Sequence, residues 1–343
     1  MKKIFLILTV LFVLTLSCCV NWKKHNNNPI VYDQDEFIIN GTYLLRYIGV
    51  FTGDVVIPDG VTEIGRHAFA NKDYITSVTI PDSVTSIGDY AFENNRIFSR
   101  GILTGVIIPN SVTSIGKFAF YGNQLISVTL SENLISIGEE AFSDNNITDI
   151  IIPNSVTRIG EKAFWKNELT SVTLSKNLIS IDDRVFADNQ LTKVIIPDSV
   201  TSIGYSAFEN NKLTSVIIPK SVTGIRGHAF ADNQLTDVII QEGVTAIYHC
   251  AFWNNKLTSV IIPKSVTSIE GGAFWNNQIY KITIGENVWV NTPEREYPER
   301  VYIERDFYEY IPSFPFGFGS YYYKNERKAG TYTYKNGSWS WSR

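Results

Sequence analysis

Two histidines and a cysteine come nearest to a constellation that could do chemistry. His228 and Cys250 hold equivalent places in consecutive 22-residue units, and His249 directly precedes Cys250. Imidazole and thiolate together suit a soft or borderline metal, but the pattern supplies no obvious fourth ligand. Glu139, Glu161 and Asp183 recur at the same interval, and their oxygens could make a weak divalent-cation site. Glu140, Lys162 and Arg184 follow them one by one, so the column also reads as a solvated face with compensating neighbours. There is no Ser or Cys nucleophile motif, no His-Glu-x-x-His and no phosphate-binding loop. Gly317-Phe318-Gly319 is a glycine pair without the strand–helix context that phosphate binding needs. Four histidines, three cysteines and one methionine in 343 residues leave little material for a metal or nucleophilic centre. The expectation is no catalytic residue, no cofactor and no metal.

The composition agrees with a function that lies in surface rather than in reaction. Hydrophobic residues make up 44% of the chain and charged residues 19%, which allows a large core and excludes a disordered chain. The formal charge of −4 argues against a nucleic-acid partner, which calls for a basic excess. Three cysteines, two of them adjacent at Cys18 and Cys19, exclude a disulfide framework. Length alone would suggest about two ordinary domains.

The N-terminus reads as an export signal. Lys2 and Lys3 precede a run from Ile4 to Leu16 of apolar residues and Thr, too short to span a bilayer comfortably. Thr15-Leu16-Ser17-Cys18 is similar to a relaxed lipoprotein box, which makes Cys18 the lipid anchor; Leu16-Ser17-Cys18-Cys19 is a second register, and plain cleavage near Cys19 is the other reading. Residues 1–19 are therefore expected to be a signal peptide and 20–40 a polar tether, Asn-rich at Asn26, Asn27 and Asn28. The mature protein would be exported, as a cell-surface or outer-membrane-anchored lipoprotein or as a periplasmic or secreted protein. Its only membrane contact would be that anchor.

What must position any surface is a repeat. Ala-Phe recurs with its Phe at Phe69, Phe92, Phe120, Phe142, Phe164, Phe208, Phe230, Phe252 and Phe274, and Val185-Phe186 fills the one gap. From Phe120 onward every step is 22 residues. A fixed period in the twenties marks a solenoid whose units bury their apolar faces on each other. In the unit LTSVIIPKSVTGIRGHAFADN, Leu213, Val216 and Ile218 point inward from a short strand, Pro219 ends the ladder, and Val222 and Ile225 return the chain to the core. Ala229 and Phe230 are expected on a short helical turn. Three residues after nearly every Phe stands an Asn, from Asn95 and Asn123 to Asn277, suited to satisfy loop amides of its own and neighbouring layers.

The segments LTSVIIPKSVTGIRGHAF at 213–230 and ITSVTIPDSVTSIGDYAF at 75–92 resemble the BspA-like leucine-rich repeats of bacterial surface proteins, the leucine-rich repeat 5 family. The resemblance covers residues 52 to about 290. Family members often carry Cys in the loop where this chain has Asn, and Ser131, Ser175, Gln241 and Gly285 replace the repeat's Pro. The resemblance implies an α/β fold: a right-handed leucine-rich-repeat solenoid with a parallel sheet on its concave face and short helical turns opposite. It also implies a non-enzymatic bacterial cell-surface protein that binds host proteins in adhesion. Residues 41–290 are expected to form the solenoid with an N-terminal cap turning at Asn40-Gly41, and 291–343 a small aromatic-rich β cap.

Eleven strands, from Thr52–Ile57 to Ile279–Ile284, would stack into a sheet about 50 Å long at about 4.8 Å per strand. One outward column runs Asp54, Ser77, Gly105, Ser127, Asp149, Ser171, Lys193, Ser215, Asp237, Ser259, Lys281; the other carries Ile151 and then four consecutive isoleucines, Ile195, Ile217, Ile239 and Ile261. An apolar stripe facing water marks a partner site, although β-propensity alone also favours Ile there. The candidate contacts are Ile151, Lys193, Ile195, Ser215, Ile217, Asp237, Ile239 and Ile261, together with Trp253 and Trp275 of a loop-edge row that includes Tyr121 and Trp165. That row reads equally as a structural aromatic ladder. The expected partner is a protein, from the host extracellular matrix or another cell surface. Rival readings are a binder of glycan or cell-wall polymer and a structural envelope spacer. Arg96–Leu103 is an insertion expected to bulge from one face. Residues 289–343 hold 16 of the chain's aromatics, and the alternation Tyr332, Tyr334, Trp339, Trp341 about Asn336-Gly337 is a hairpin signal. Its aromatic face would cap the solenoid or, alternatively, take carbohydrate.

Overall fold

The computed structural model describes residues 30–33, 36–49, 53–72, 74–94, 103–290 and 325–342. Cys18 and the signal segment, Asn95, most of the 96–103 insertion and Gly317-Phe318-Gly319 lie outside the described residues. Strand structure begins at Ile30–Asp33, inside the stretch read as a tether. It pairs antiparallel with Phe37–Asn40, which pairs in turn with Tyr43–Tyr47.

From there the chain winds as a parallel β-solenoid of about eleven turns. Each turn lays down a long strand and, after the Pro-containing corner, a two-residue strand. The long strands run from Gly53–Val56 to Lys281–Ile284 and pair two by two. Ser215–Ile218, for example, pairs with Asp237–Ile240, with Val216 beside Val238 and Ile217 beside Ile239. Ten of the eleven expected strands form; Lys193–Ile195 keeps its place in the stack without closing a ladder. The short strands make longer sheets. Tyr43–Tyr47 joins Glu63–Ile64, and pairing continues in register through Ser136–Ile137 to Arg158–Ile159. A second run extends from Ser180–Ile181 to Trp289–Val290.

No helix is present among the described residues, so the α/β class and the helical turns give way to an all-β coil. The cause lies in the Ala-Phe corner. Two residues before each Phe, and two after each except Phe92, the backbone takes a left-handed φ: 57° at His228 and 52° at Asp232, 53° at Ser206 and 53° at Asn210. Left-handed residues at that spacing cannot belong to a right-handed helix. The backbone N–H groups of His228, Phe230 and Asp232 instead donate to His249, Ala251 and Trp253 of the next layer. These interlayer bonds offset a conformational cost of about 1–2 kcal/mol per left-handed residue.

The core is a set of ladders. Phe rings from Phe69 to Phe274 stack layer on layer, with centroids 4.7 Å apart for Phe69–Phe92 and 5.7 Å for Phe164–Phe186. The Asn column behaves as its strictness implies. Asn233 is buried, donates to Phe208 of the preceding layer at 2.8 Å and to its own Phe230 at 3.3 Å, and accepts from the Leu213 N–H. Where Ser replaces Pro, its hydroxyl takes a structural bond: Ser175 is buried and donates to the Val156 carbonyl at 2.7 Å.

The far end is closed by the aromatic hairpin. Gly330–Lys335 pairs antiparallel with Lys281–Ile284, placing Tyr332 beside Ile282. Ser338–Ser342 pairs with it in the expected register, Tyr334 with Trp339 and Tyr332 with Trp341. Asn336 and Gly337 take φ of 53° and 80°, the two positive values of a type I′ turn. Tyr332 and Trp339 are buried in the core, and Tyr334 and Trp341 pack against it.

Candidate binding face

Strand alternation decides which side chains this solenoid shows to solvent. On the long ladder Val216, Val238 and Val260 point inward and are buried, while the residue after each points out. Ile151, Ile195, Ile217, Ile239 and Ile261 are all exposed, between 48% for Ile239 and 72% for Ile195, and Ile107 belongs to the same column at 70%. Lys193, Ser215 and Asp237 in the neighbouring column are exposed as well. The backbone brings these eight candidates onto one face. Repeated layers give that face a fixed pitch. Ladder hydrogen bonds hold Ile217, Ile239 and Ile261, and the buried Val194 beside it holds Ile195, which lies outside any ladder.

The tryptophans do not join them. Trp253 and Trp275 sit on the loop edge and are half-buried. Trp253 meets His228 edge-on at 6.2 Å, and no ring contact links it to Trp275 among the described residues. Trp165 donates its indole N–H to Asp188 at 2.7 Å. Trp339, on the hairpin face, is buried and offers no flat surface to a sugar.

The two constellations with chemical potential are assembled as follows. His228 and Cys250 do sit in adjacent layers, with His228 buried and its Nδ1 3.4 Å from Glu209. Burial pushes the Cys250 thiol up to about 11, with Glu209 and Asp232 adding to the shift; such a thiol is a poor ligand and a poor nucleophile at neutral pH. The described residues contain no group of three His, Cys, Asp or Glu side chains placed to share an ion. In the acidic column, Lys117 reaches Glu139 at 2.9 Å, and Lys162 lies 3.0 Å from Glu161 and 3.5 Å from Glu140. The Arg184 guanidinium lies over the Tyr205 ring at 5.4 Å. Glu139 and Glu140 are thus paired with lysines of a neighbouring layer and Glu161 with the lysine beside it.

Two hollows were not anticipated. Gly105 leaves the outer column without a side chain, and a depression of about 1050 Å³ spreads across that strand and its neighbours beside Ile107. On the short-strand side, Ser136, Gly138, Arg158, Gly160, Glu161, Asp183 and Gly204 are among the residues that line a groove of about 810 Å³. The signal for the groove was available, since glycine recurs at Gly65, Gly88, Gly116, Gly138, Gly160 and Gly204. Each Cβ there would meet the preceding layer's backbone. At Gly138 it would lie 2.5 Å from the carbonyl carbon of Gly116.

Comparison with known proteins bears on the repeat. A family model described as the BspA type leucine rich repeat region matches in six copies, over residues 51–102, 94–214 and 180–292. Among solved structures the chain is similar to the pneumococcal vaccine antigen PcpA, at 20% identity over 76% of this chain and 82% of that one, with a TM-score of 0.51. It is also similar to a leucine rich repeat protein of T. pallidum, at 28% identity over 47% of this chain and 75% of that one, with a TM-score of 0.39. A leucine rich cell surface protein from Faecalibacterium prausnitzii is 21% identical over 77% of this chain and 89% of that one, with a TM-score of 0.33. No curated protein matches the chain. At these identities the likeness to PcpA concerns the fold alone.

Proposed function

Because this chain belongs to the BspA-type leucine-rich repeat family, we propose that it is an exported, non-enzymatic protein that binds other proteins through the long-strand face of its solenoid. One observation carries the reading: an ordered column of isoleucines from Ile195 to Ile261 stands in water. Burying that stripe releases water from apolar surface at about 25 cal/mol per Å², and the preformed ladder loses little conformational freedom in doing so. The face is long and lacks an enclosing aromatic pocket, which suits a protein or extended peptide better than a small molecule. The N-terminal segment supports export, with Cys18 as the proposed lipid anchor and the cell surface as the proposed site. A host matrix protein or another cell-surface protein is the proposed partner.

The test compares wild-type protein with an Ile195→Lys, Ile217→Lys, Ile239→Lys triple variant in adhesion to matrix proteins and in capture from surface extracts. Loss of binding with an unchanged circular dichroism spectrum supports the face. Retained adhesion in the folded variant rejects it.

A further inference from the structure

The column beside the isoleucines has an order that the protein-binding reading leaves unused. Over its last seven layers, after Asp54, Ser77, Gly105 and Ser127, it runs Asp149, Ser171, Lys193, Ser215, Asp237, Ser259, Lys281, all exposed. Charge alternates in sign, and every charge is separated from the next by a serine layer. Two layers amount to about 9.6 Å, too far for a direct ion pair along the chain. Consistent with that spacing, none of the four charged residues enters an ion pair among the described residues.

The sequence of charges is its own complement when reversed about Ser215. Asp149 then faces Lys281, Lys193 faces Asp237, and each serine faces a serine. The isoleucine column reverses about Ile217, which sets Ile195 against Ile239 and Ile217 against itself. A two-fold axis along the strand direction performs this operation when two sheets meet face to face, keeping strands parallel and running the layers in opposite senses. Sheets packed so lie about 10 Å apart, a gap that a lysine and an aspartate span together.

The geometry points to a second copy of this chain as an occupant of the face: an antiparallel, two-fold homodimer zipped by Ile195, Ile217 and Ile239 and flanked by four Lys–Asp pairs. The inference rests on the long-strand face being the binding surface. Register is specified by repulsion as well as attraction. Moving the axis by half a layer sets charge against serine, and moving it by a whole layer sets Asp149 against Asp237. The rims differ in what they add. On the loop side Glu168 meets Lys256, an attraction; on the turn side Asp198 meets Glu242 and Lys220 meets its own copy, like charges that oppose the pairing, although Glu242 is engaged by the backbone of Lys264 and Ser265. A strip two columns wide falls at the small end of interface sizes, so the dimer is weak and salt-sensitive.

Sedimentation equilibrium of the mature full-length chain over a concentration series, at low and high salt, tests this. The expected result is a monomer–dimer equilibrium that weakens with salt. Asp237→Lys should raise the dissociation constant at least about tenfold by placing lysine against Lys193 twice. Adding Lys193→Asp to Asp237→Lys should restore it to within about threefold, because the swapped charges again face each other. Only a self-complementary interface allows that rescue. A chain monomeric at all concentrations, or a double variant no better than the single one, overturns the homodimer. Adhesion measured on the same variants fails separately if the face binds nothing at all.

Discussion

The side-chain amide of Asn211 donates to the carbonyl oxygen of Phe186, one layer back, at 2.9 Å. The same amide nitrogen lies 3.2 Å from the Phe208 carbonyl of its own layer, and the side-chain oxygen accepts the Leu191 N–H at 2.9 Å. One buried side chain thus closes its own loop and fastens it to its neighbour.

Replacing Asn211 tests how much that link contributes. Asn211→Ala leaves the buried Leu191 N–H without its acceptor, whereas the Phe186 and Phe208 carbonyls each keep one donor, from Asn189 and Asn233. A loss of about 1–3 kcal/mol is expected in urea denaturation. Asn211→Asp should cost more still, because a carboxylate cannot donate to the two carbonyls and carries charge into the core. An aspartate variant as stable as wild type would refute the assigned donor direction.

The glycine column permits a paired comparison. A methyl at Gly138 would stand 2.5 Å from the Gly116 carbonyl carbon and 2.6 Å from its oxygen, whereas at Gly285 the nearest atom is 3.7 Å away. Gly138→Ala is expected to destabilise by about 2 kcal/mol or more and Gly285→Ala by less than about 0.5 kcal/mol. Equal melting temperatures for the two variants would contradict the close approach of successive layers.

Much of this architecture was legible because the signals repeat. Period, inward Leu-Val-Ile spacing and the Asn column fixed the solenoid, and strict alternation around Asn336-Gly337 fixed the hairpin register. The corner was misread as helical because Ala-Phe says nothing of backbone sign. The clue was two residues beyond most of the Phe, where Asn71, Gly122, Asp144, Asp188, Asn210, Asp232, Asn254 and Asn276 tolerate left-handed φ, Lys166 being the exception in type. The partner position two residues before Phe holds Glu140, Lys162 and Arg184, types with no left-handed preference, so interlayer hydrogen bonding there overrides local propensity. On the candidate face, strand alternation sufficed to place the isoleucines outward. It could not show that Lys193–Ile195 lacks ladder bonds, which depends on the path of neighbouring layers, nor that Trp253 leans on His228, a contact between units.

The cap supplies a stability prediction confined to one end. Trp339 is buried at 7% exposure, and its neighbouring strand Gly330–Lys335 completes the ladder of Lys281–Ile284. Trp339→Ala should loosen the hairpin at a cost of about 3–5 kcal/mol. Because solenoid layers contact only their neighbours, hydrogen exchange should quicken at Lys281–Ile284 while Ser136–Ile137 stays protected. Uniform loss of protection along the chain would show that the layers unfold as a single unit instead.

The half-buried thiol of Cys250 makes a chemical prediction whose sign follows from its environment. Burial and the nearby carboxylates of Glu209 and Asp232 disfavour the thiolate, raising its pKa to about 11 against about 8.5 for a free cysteine. The thiolate of the folded protein therefore forms only as pH rises toward that value. At pH 8 its population falls about 200-fold below that of an exposed thiol, and the greater intrinsic nucleophilicity of a more basic thiolate recovers only part of the rate. Alkylation by iodoacetamide, followed by mass spectrometry on the Cys250 peptide, should thus run at least about tenfold slower in the folded protein than in urea. It should climb steeply between pH 9 and about 11 while the fold persists. Equal rates in the folded and unfolded chains at pH 8 would mean that Cys250 is neither shielded nor held against ionisation, and would reopen the His228–Cys250 pair as a reactive site.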